Sequence, residues 1–259
     1  MTKEIRNIFI IGNKGAMGSF FENRFKEIKG LIVDGMDQPI DKELMRSKLK
    51  ESNLILLCVP IGAVEQLVSL IAEITTKFPI LVDICSVKVN PMKLMLKRYP
   101  GPVVGTHPLF GPNPDKDFPL KIAMVRGRGD REFDLVKSFF KEGGFGTFEC
   151  TAEEHDYAMA YIQGLNFVTT LSYFASCAGD ESLLRFLTPS FKRRIESAHK
   201  MLTQDSNLFQ TLFESNPYSH EAVKRFRSYL NLASAGDLEI LIERAWWWWN
   251  GKYGGGGVP

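Results

Sequence analysis

The first half of the chain alternates short, continuous apolar runs with segments of helical spacing, and this alternation restricts the possible folds most. Each run is short, continuous and ended by turn residues, which predicts a strand buried on both faces of a parallel sheet. The runs are Ile8–Ile11, Leu31–Val33, Leu54–Val59, Ile80–Val82, Val103–Val104 and Ile122–Val125. Strands that alternate with helices favour a doubly wound α/β sheet with right-handed crossovers.

The pattern changes near Cys150. Beyond it, apolar residues recur at helical spacing, as Tyr161, Leu165 and Val168 do, and runs of β-branched residues are few. A chain of 259 residues can form two modest cores. We therefore predict two domains, with the sheet in residues 1–150 and helices alone in residues 151–259.

Composition indicates a protein whose partners are small molecules. The formal net charge is only +2 and both signs are interspersed, so no surface for nucleic acid or anionic membrane is expected. No apolar run approaches the roughly 20 residues of a membrane helix. The four cysteines lack metal-ligand and redox spacing, and the amino terminus does not resemble a signal peptide. We expect a cytoplasmic protein without a metal site.

A glycine-rich turn follows the first predicted strand and precedes a helical pattern. Glycines in such a turn let the backbone approach a pyrophosphate, whose charge is met by N–H groups and the positive end of the helix. The turn consists of Gly12, Asn13, Lys14, Gly15, Ala16, Met17 and Gly18. It departs from the G-x-G-x-x-G fingerprint at Asn13, a residue type that tolerates left-handed backbone geometry. The alternative is an ordinary strand-to-helix turn that binds nothing.

An acidic residue, Asp37, follows the second predicted strand, about 20 residues after Gly18. A carboxylate at this distance accepts hydrogen bonds from a ribose 2′-hydroxyl and repels a 2′-phosphate. This pattern favours NAD over NADP as the cofactor. Asp34 takes the role instead if the strand ends earlier.

One histidine, His107, stands in the segment Gly105–Pro112, with proline and glycine on both sides and the apolar pair Val103–Val104 before it. Ligands of open α/β sheets bind outside the carboxyl ends of the strands. His107 is therefore the candidate acid or base. A histidine that only closes a turn is the alternative.

Several segments together resemble the prephenate dehydrogenase family, which includes arogenate and cyclohexadienyl dehydrogenases. They are IIGNKGAMG, VPI at Val59 to Ile61, DICSVK at Asp83 to Lys88, GTHPLFGP, EEHDYAMAYIQGL at Glu153 to Leu165, and QDSNLF from Gln204. The resemblance covers nearly the whole chain. It implies a Rossmann-type doubly wound parallel sheet that binds NAD, with Val59 and Pro60 at the cofactor, followed by an all-helical domain for substrate binding and dimerisation.

The reaction that the resemblance implies is the oxidative decarboxylation of prephenate to 4-hydroxyphenylpyruvate in tyrosine biosynthesis. NAD takes a hydride from the ring carbon that bears the hydroxyl, and the ring loses a carboxylate as carbon dioxide. His107 matches the histidine that removes the hydroxyl proton, and Ser86 matches the serine that hydrogen-bonds this histidine. Ser86 also suits a helix cap. Arogenate and 4-amino-4-deoxyprephenate are alternative substrates, and a non-catalytic nucleotide sensor is an alternative of another class.

Two residues of the helical domain are assigned to the substrate pocket. The resemblance places the histidine that matches His155 there, and Gln163 follows about two helical turns later, so both can border one cleft. From the residues alone, His155 suits the exposed start of a helix. His199 and His220 are interpreted as surface residues.

Two positions that carry arginine in related enzymes are lysines in this chain. In those enzymes the arginines clasp the carboxylates of the substrate, and the matching residues are Lys192 and Lys200. The charge is kept, but the planar fork that binds a carboxylate in two places is lost. Arg193 and Arg194 stand next to Lys192 and can supply a guanidinium after a small shift. A solvated basic helix face is the alternative.

Four consecutive tryptophans, Trp246–Trp249, stand near the end of the chain. On a helix they point in every direction, so they cannot all face one core. We predict that this segment contributes to a homodimer interface of the helical domain. The run Gly254–Gly257 is expected to be a flexible end.

Overall fold

A computed structural model describes residues 5–249, and the chain divides into two units after His155. The first unit contains the strands β1 (Asn7–Ile11), β2 (Ile32–Met36), β3 (Leu54–Leu57), β4 (Ile80–Asp83), β5 (Val103–Pro108), β6 (Lys121–Arg128) and β7 (Gly146–Cys150). Its helices are α1 (Ala16–Lys26), α2 (Lys42–Glu51), α3 (Ile61–Ile74), α4 (Val89–Arg98) and α5 (Asp130–Glu142). The strands form one sheet in the order β2-β1-β3-β4-β5-β6-β7. The predicted doubly wound α/β fold is confirmed.

The direction of the strands changes once, at β6. The first five strands are parallel, β6 runs antiparallel to β5, and β7 runs parallel to β6. The connection Leu109–Leu120 contains no helix, so it cannot form the crossover that a parallel neighbour needs. The carboxyl ends of β1 to β5 therefore lie at one edge of the sheet, where the residues that follow them can form a site.

The central strands of the sheet, such as β1, β3 and β4, are buried on both faces, as the apolar runs predict. Phe9 and Ile11 of β1 pack with side chains of α2, α3 and α4 on one face. Ile8 and Ile10 pack with α1 and α5 on the other. Adjacent residues of one strand thus enter different cores, which explains why these strands lack a polar alternation.

The second unit begins at Asp156, within α6 (Ala152–Met159), slightly later than the predicted boundary after Cys150. A π-helical turn, Ala160–Leu165, continues α6 directly into the next helix. The remaining helices are α7 (Asn166–Ser176), α8 (Pro189–Thr203), α9 (Ser206–Ser215), α10 (Ser219–Ser234) and α11 (Leu238–Ala245). Short 3₁₀ turns occupy Glu181–Phe186 and Trp246–Trp248. All regular structure described in this unit is helical, as the sequence predicts.

None of the helices described between residues 5 and 249 is long and apolar enough to cross a membrane. The run Gly254–Gly257, expected to be flexible, lies outside the described residues.

Candidate active site

The glycine-rich turn after β1 needs glycine at two positions for different reasons. Gly12 has a φ of 88°, in the left-handed region, and a Cβ there would collide with the carbonyl oxygen of Cys58. A Cβ at Gly18 would collide with the carbonyl oxygen of Gly12. The start of α1 can therefore lie directly against the turn, as in strand–turn–helix units that bind a pyrophosphate.

Asn13 does not take the left-handed conformation considered for it, because no described residue other than glycine has a positive φ. Gly12 takes that conformation instead. The Asn13 side chain donates to Glu22 Oε2 on α1 at 2.9 Å. It also lies where a Cβ on Gly35 would be. The departure from the fingerprint is thus accommodated by the side chain, which links the turn to α1 and β2.

Asp37 follows the end of β2 directly and contacts the glycine-rich turn. Its Oδ2 atom accepts the backbone N–H of Lys14 at 3.0 Å, and its Oδ1 atom accepts that of Gln38 at 2.7 Å. Asp34 lies within β2, and its carboxylate is 3.0 Å from Lys48 Nζ. Of the two candidates for the ribose contact, Asp37 is therefore the one beside the turn.

An open cavity of about 440 Å³ adjoins the carboxyl ends of β1, β2 and β3. Gly12, Gly15, Asp37, Val59 and Pro60 are among its lining residues. The glycines leave room for phosphates, and a carboxylate that accepts two backbone N–H groups still has lone pairs for a sugar hydroxyl. The residues present fit a nucleotide.

His107 lies on β5 one residue before the strand ends, and it is only 3% exposed. Its Nδ1 atom is 2.9 Å from Nε2 of His155, and the two rings meet edge to face at 74°. Burial, followed by electrostatic interactions with His155 and Lys88, lowers the pKa of His107 well below the ordinary 6.5. The imidazole is therefore neutral near neutral pH, as a general base must be.

A capping box fixes the start of the helix that carries His155. Thr151 Oγ1 accepts the backbone N–H of Glu154 at 3.0 Å, and Glu154 Oε2 accepts the backbone N–H of Thr151 at 2.8 Å. The next residue, His155, is only 4% exposed. The interpretation of His155 as an exposed residue is wrong, because α6 directs its ring onto His107. The substrate contact that the resemblance implies for it stays a prediction.

A buried ion pair contacts the backbone of Thr106, the residue before His107, and this pair was not predicted from the sequence. Lys88 Nζ is 2.5 Å from Asp83 Oδ2 and donates to the carbonyl oxygen of Thr106 at 2.6 Å. Thr106 Oγ1 donates to the carbonyl oxygen of Asp83 at 2.6 Å. These bonds join the carboxyl ends of β4 and β5. Two features of the sequence could have indicated the ion pair: Asp83 ends the apolar run of β4, and Lys88 follows five residues later.

Ser86 is half-buried between β4 and α4. It does not cap α4, whose N-cap residue is Lys88. Within residues 5–249 no hydrogen bond joins its hydroxyl to His107, whose Nδ1 atom faces His155. The contact that the resemblance implies between Ser86 and His107 is therefore not formed in the structure.

The candidate substrate residues of the second unit lie on separate elements. Gln163 is half-buried in the π-helical turn, an irregularity found frequently at functional sites. Lys192 and Lys200 are exposed on α8. Lys200 Nζ is 3.8 Å from Asp205 Oδ2, a distance at which the ammonium remains available to a second anion.

The arginines near these lysines differ in their surroundings. Both Arg193 and Arg194 are exposed, but the Arg194 guanidinium also lies 3.7 Å from the centre of the Tyr173 ring. A guanidinium stacked on an aromatic ring is partly committed to that contact. His199 and His220 are exposed, which agrees with their interpretation as surface residues.

Comparison with known families finds a match within the first unit. The model of the prephenate dehydrogenase nucleotide-binding domain matches residues 32–116, a range that includes Asp37, Ser86 and His107. The T-protein of Enterobacter agglomerans is 28% identical over 92% of this chain and 65% of its own length. The probable arogenate/prephenate dehydrogenase of Methanocaldococcus jannaschii is 25% identical over 85% of this chain and 54% of its own length. The chain therefore spans between 54% and 65% of these relatives.

Solved structures show the same fold at lower sequence identity. Arogenate dehydrogenase from Synechocystis superimposes with a TM-score of 0.74 at 16% identity, covering 95% of this chain and 98% of that one. Prephenate dehydrogenase from Aquifex aeolicus, in complex with hydroxyphenyl propionate and NAD⁺, gives a TM-score of 0.72 at 18% identity, covering 95% and 96%. Both the sheet and the helical part thus have counterparts in proteins of known structure.

Proposed function

We propose that the chain is a member of the family of prephenate, arogenate and cyclohexadienyl dehydrogenases and that it oxidises and decarboxylates prephenate to 4-hydroxyphenylpyruvate with NAD; the family model over residues 32–116 and the similarity to the T-protein support this. The observation that carries this proposal is His107. It is a buried histidine with a lowered pKa at the carboxyl end of β5, and His155 engages its Nδ1 atom. Its Nε2 atom is then the nitrogen that can take the proton of a ring hydroxyl.

Three features of the first unit support NAD as the cofactor. The turn Gly12–Gly18 has glycines where a backbone must approach phosphates, and Val59 and Pro60 line the same cavity. Asp37 suits a ribose 2′-hydroxyl and repels the 2′-phosphate of NADP. NAD supplies the acceptor for the hydride that leaves the ring carbon.

Prephenate carries two carboxylates, and the second unit offers two separate cations on α8. We assign Lys192 and Lys200 to these carboxylates, with Gln163 as a further polar contact. An ammonium binds a carboxylate as a point charge and does not select its orientation as a guanidinium does. His107 must therefore recognise the ring hydroxyl, which prephenate and arogenate share and 4-amino-4-deoxyprephenate lacks.

A homodimer through the second unit explains its exposed apolar surface. Leu238, Ile240 and Ile242 of α11 and the segment Trp246–Trp249 are each between 45% and 65% exposed in a single chain. Apolar surface of this extent is characteristic of a protein interface. We propose that a second copy of the chain covers it.

The substrate is tested by steady-state assays of the full chain with prephenate, arogenate and 4-amino-4-deoxyprephenate, each with NAD and NADP. We expect the highest kcat/KM with prephenate and NAD, and one carbon dioxide released for each NADH formed. A higher kcat/KM with arogenate would refute the choice of prephenate. Nucleotide binding without turnover of any of the three would instead support the sensor.

The role of His107 is tested with His107→Asn. Loss of the base should lower kcat by about 10³-fold while the Kd for NAD stays close to that of the wild type, because the nucleotide cavity does not include this residue. His220→Asn removes an exposed histidine of the second unit and serves as the control. An active His107→Asn enzyme would show that another group removes the proton.

A further inference from the structure

His107 and His155 form a buried pair that acid–base chemistry at His107 alone does not require. The atoms His107 Nδ1 and His155 Nε2 lie 2.9 Å apart, and both side chains are almost inaccessible to water. The two residues come from β5 and α6, and the capping box of Thr151 and Glu154 fixes α6 immediately before His155. The contact is therefore held from both sides by regular structure.

One proton lies between these two nitrogens, and the ring that carries it determines whether neutral His107 can act as a base. If His155 donates from Nε2, then His107 accepts at Nδ1, and a neutral His107 carries its own proton on Nε2. If His107 donates from Nδ1, its Nε2 atom keeps a lone pair. Only the second arrangement lets neutral His107 remove a proton at Nε2.

We propose that His155 is a positioning residue: its Nε2 atom accepts the Nδ1–H of His107 and so holds His107 in the tautomer with a free lone pair on Nε2. This inference rests on the proposed function, since only proton removal at Nε2 requires that tautomer. It gives His155 a role through His107, and it assigns to His155 the orienting contact that the resemblance implies for Ser86.

The steps of the proposed reaction show when His107 carries an additional proton. As the C–H electron pair leaves the ring carbon as hydride to the cofactor, the hydroxyl O–H bond breaks and its proton bonds to His107 Nε2. The C–C bond to the carboxylate then breaks, carbon dioxide leaves, and its electron pair completes the aromatic ring. His107 returns its proton to the ring oxygen, which gives the phenol.

Between these two proton transfers His107 is an imidazolium in a site where burial and electrostatic interactions with His155 and Lys88 oppose a positive charge. A hydrogen bond from a charged donor is stronger than one between neutral groups, so a lone pair on His155 Nε2 that accepts the Nδ1–H offsets part of this cost. Removing the acceptor should therefore lower kcat more than it changes KM.

The tautomer is measured by ¹H–¹⁵N correlation spectra of the full chain labelled with ¹⁵N-histidine, which contains only four histidines. We expect His107 to carry its proton on Nδ1 in the wild type. In His155→Leu this preference is lost and kcat falls about tenfold. In His155→Gln the amide oxygen can accept the same bond, so the tautomer and most of kcat return. His220→Gln is the control and should change neither.

A wild-type spectrum with the His107 proton on Nε2 would overturn the proposal. So would a His155→Leu variant whose His107 tautomer and kcat equal those of the wild type. If His155→Leu fails to fold, the wild-type and His155→Gln spectra decide the question. The spectra need no substrate, so a protein with the expected tautomer that turns over none of the candidate substrates would contradict the proposed function alone.

Discussion

The two units of the molecule bury their apolar residues to very different extents. In the first unit, side chains on both faces of the sheet are fully buried, including the aromatic pair Phe21 and Phe25 on α1. In the second unit, few described apolar residues are buried, and Leu184 and Phe186 are 65% and 69% exposed. The first unit therefore has complete cores within one chain, whereas the second leaves apolar surface that another surface must cover.

This difference separates two kinds of function. The nucleotide cavity and the His107–His155 pair lie in the unit with complete cores, where positions are fixed by packing. The candidate substrate cations and the candidate dimer surface lie in the other unit. Substitutions in the first unit should therefore act on folding and chemistry, and substitutions in the second on assembly and substrate affinity.

The largest expected effect contrasts one phenylalanine from each unit. Phe25→Ala removes a fully buried ring and should lower the free energy of unfolding by about 3–5 kcal/mol. Phe186→Ala removes an exposed ring and should cost less than about 1 kcal/mol. Urea denaturation followed by far-ultraviolet circular dichroism measures both. Equal losses would mean that the second unit buries its aromatic residues as completely as the first.

The next effect concerns assembly, and two isoleucines with the same exposure of 57% provide a matched pair. Ile242→Asp, on α11, places a charge in the proposed dimer surface. Loss of one buried isoleucine side chain there costs about 1.5–3 kcal/mol and should raise the dimer Kd at least about tenfold. Ile32→Asp, on the edge strand β2, should leave the Kd unchanged. Sedimentation velocity over a concentration series measures the dissociation.

Tryptophan fluorescence gives a second reading of the same experiment. All four tryptophans of the chain lie in Trp246–Trp249, so intrinsic emission reports on the second unit alone. Emission should shift to longer wavelength as Ile242→Asp dissociates, since the indole rings become exposed to water. A wild-type protein that stays monomeric at every concentration would refute the proposed dimer.

The strands could be predicted from the sequence where burial on both faces leaves a continuous apolar run. β7 was not predicted, because exposed and half-buried residues mix along it and its Glu149 pairs with Arg126 of β6. The antiparallel direction of β6 depends on the length and content of the connection before it. Neither the mixed burial of β7 nor the direction of β6 produces a local hydrophobic pattern from which it can be predicted.

The candidate site could be predicted where a residue follows a strand directly, as Asp37 does, or ends one, as His107 nearly does. The partners of His107 could not be predicted from spacing. His155 reaches it through the register of β5 and the start of α6, and Lys88 pairs with Asp83 inside the fold. Both contacts depend on how the strands and helices pack, which one sequence does not reveal.

The substrate cations of the second unit should have a smaller effect, confined to affinity. Lys200→Ala and Lys192→Ala each remove one charged partner of a carboxylate and should raise KM for prephenate about tenfold, with kcat nearly unchanged. Lys224→Ala, on α10, removes a further exposed lysine of this unit as the control. Lys200→Arg introduces the planar fork that the resemblance implies at this position and should lower KM below the wild-type value if that carboxylate is bound in two places. A fall in kcat with unchanged KM would contradict this division of roles.

The smallest effect is the pH dependence of stability in the first unit. The pKa of His107 is lowered in the fold by burial, by His155 and by Lys88, whereas the unfolded chain has the ordinary value near 6.5. Below that value the unfolded chain binds a proton that the folded chain does not, so stability is complete above about pH 6.5 and falls as the pH decreases toward the folded pKa.

The slope is at most about 1.4 kcal/mol per pH unit for this one proton. Urea denaturation between about pH 7.5 and pH 5.5 measures it, above the range in which carboxylates such as Glu22 and Glu149 titrate. His107→Asn should reduce the slope, and the exposed His220→Asn should keep it. A slope that is the same in His107→Asn and the wild type would show that the pH dependence of stability arises from another group. The buried imidazole of the first unit would then affect the free energy of unfolding no more than the exposed imidazoles of the second.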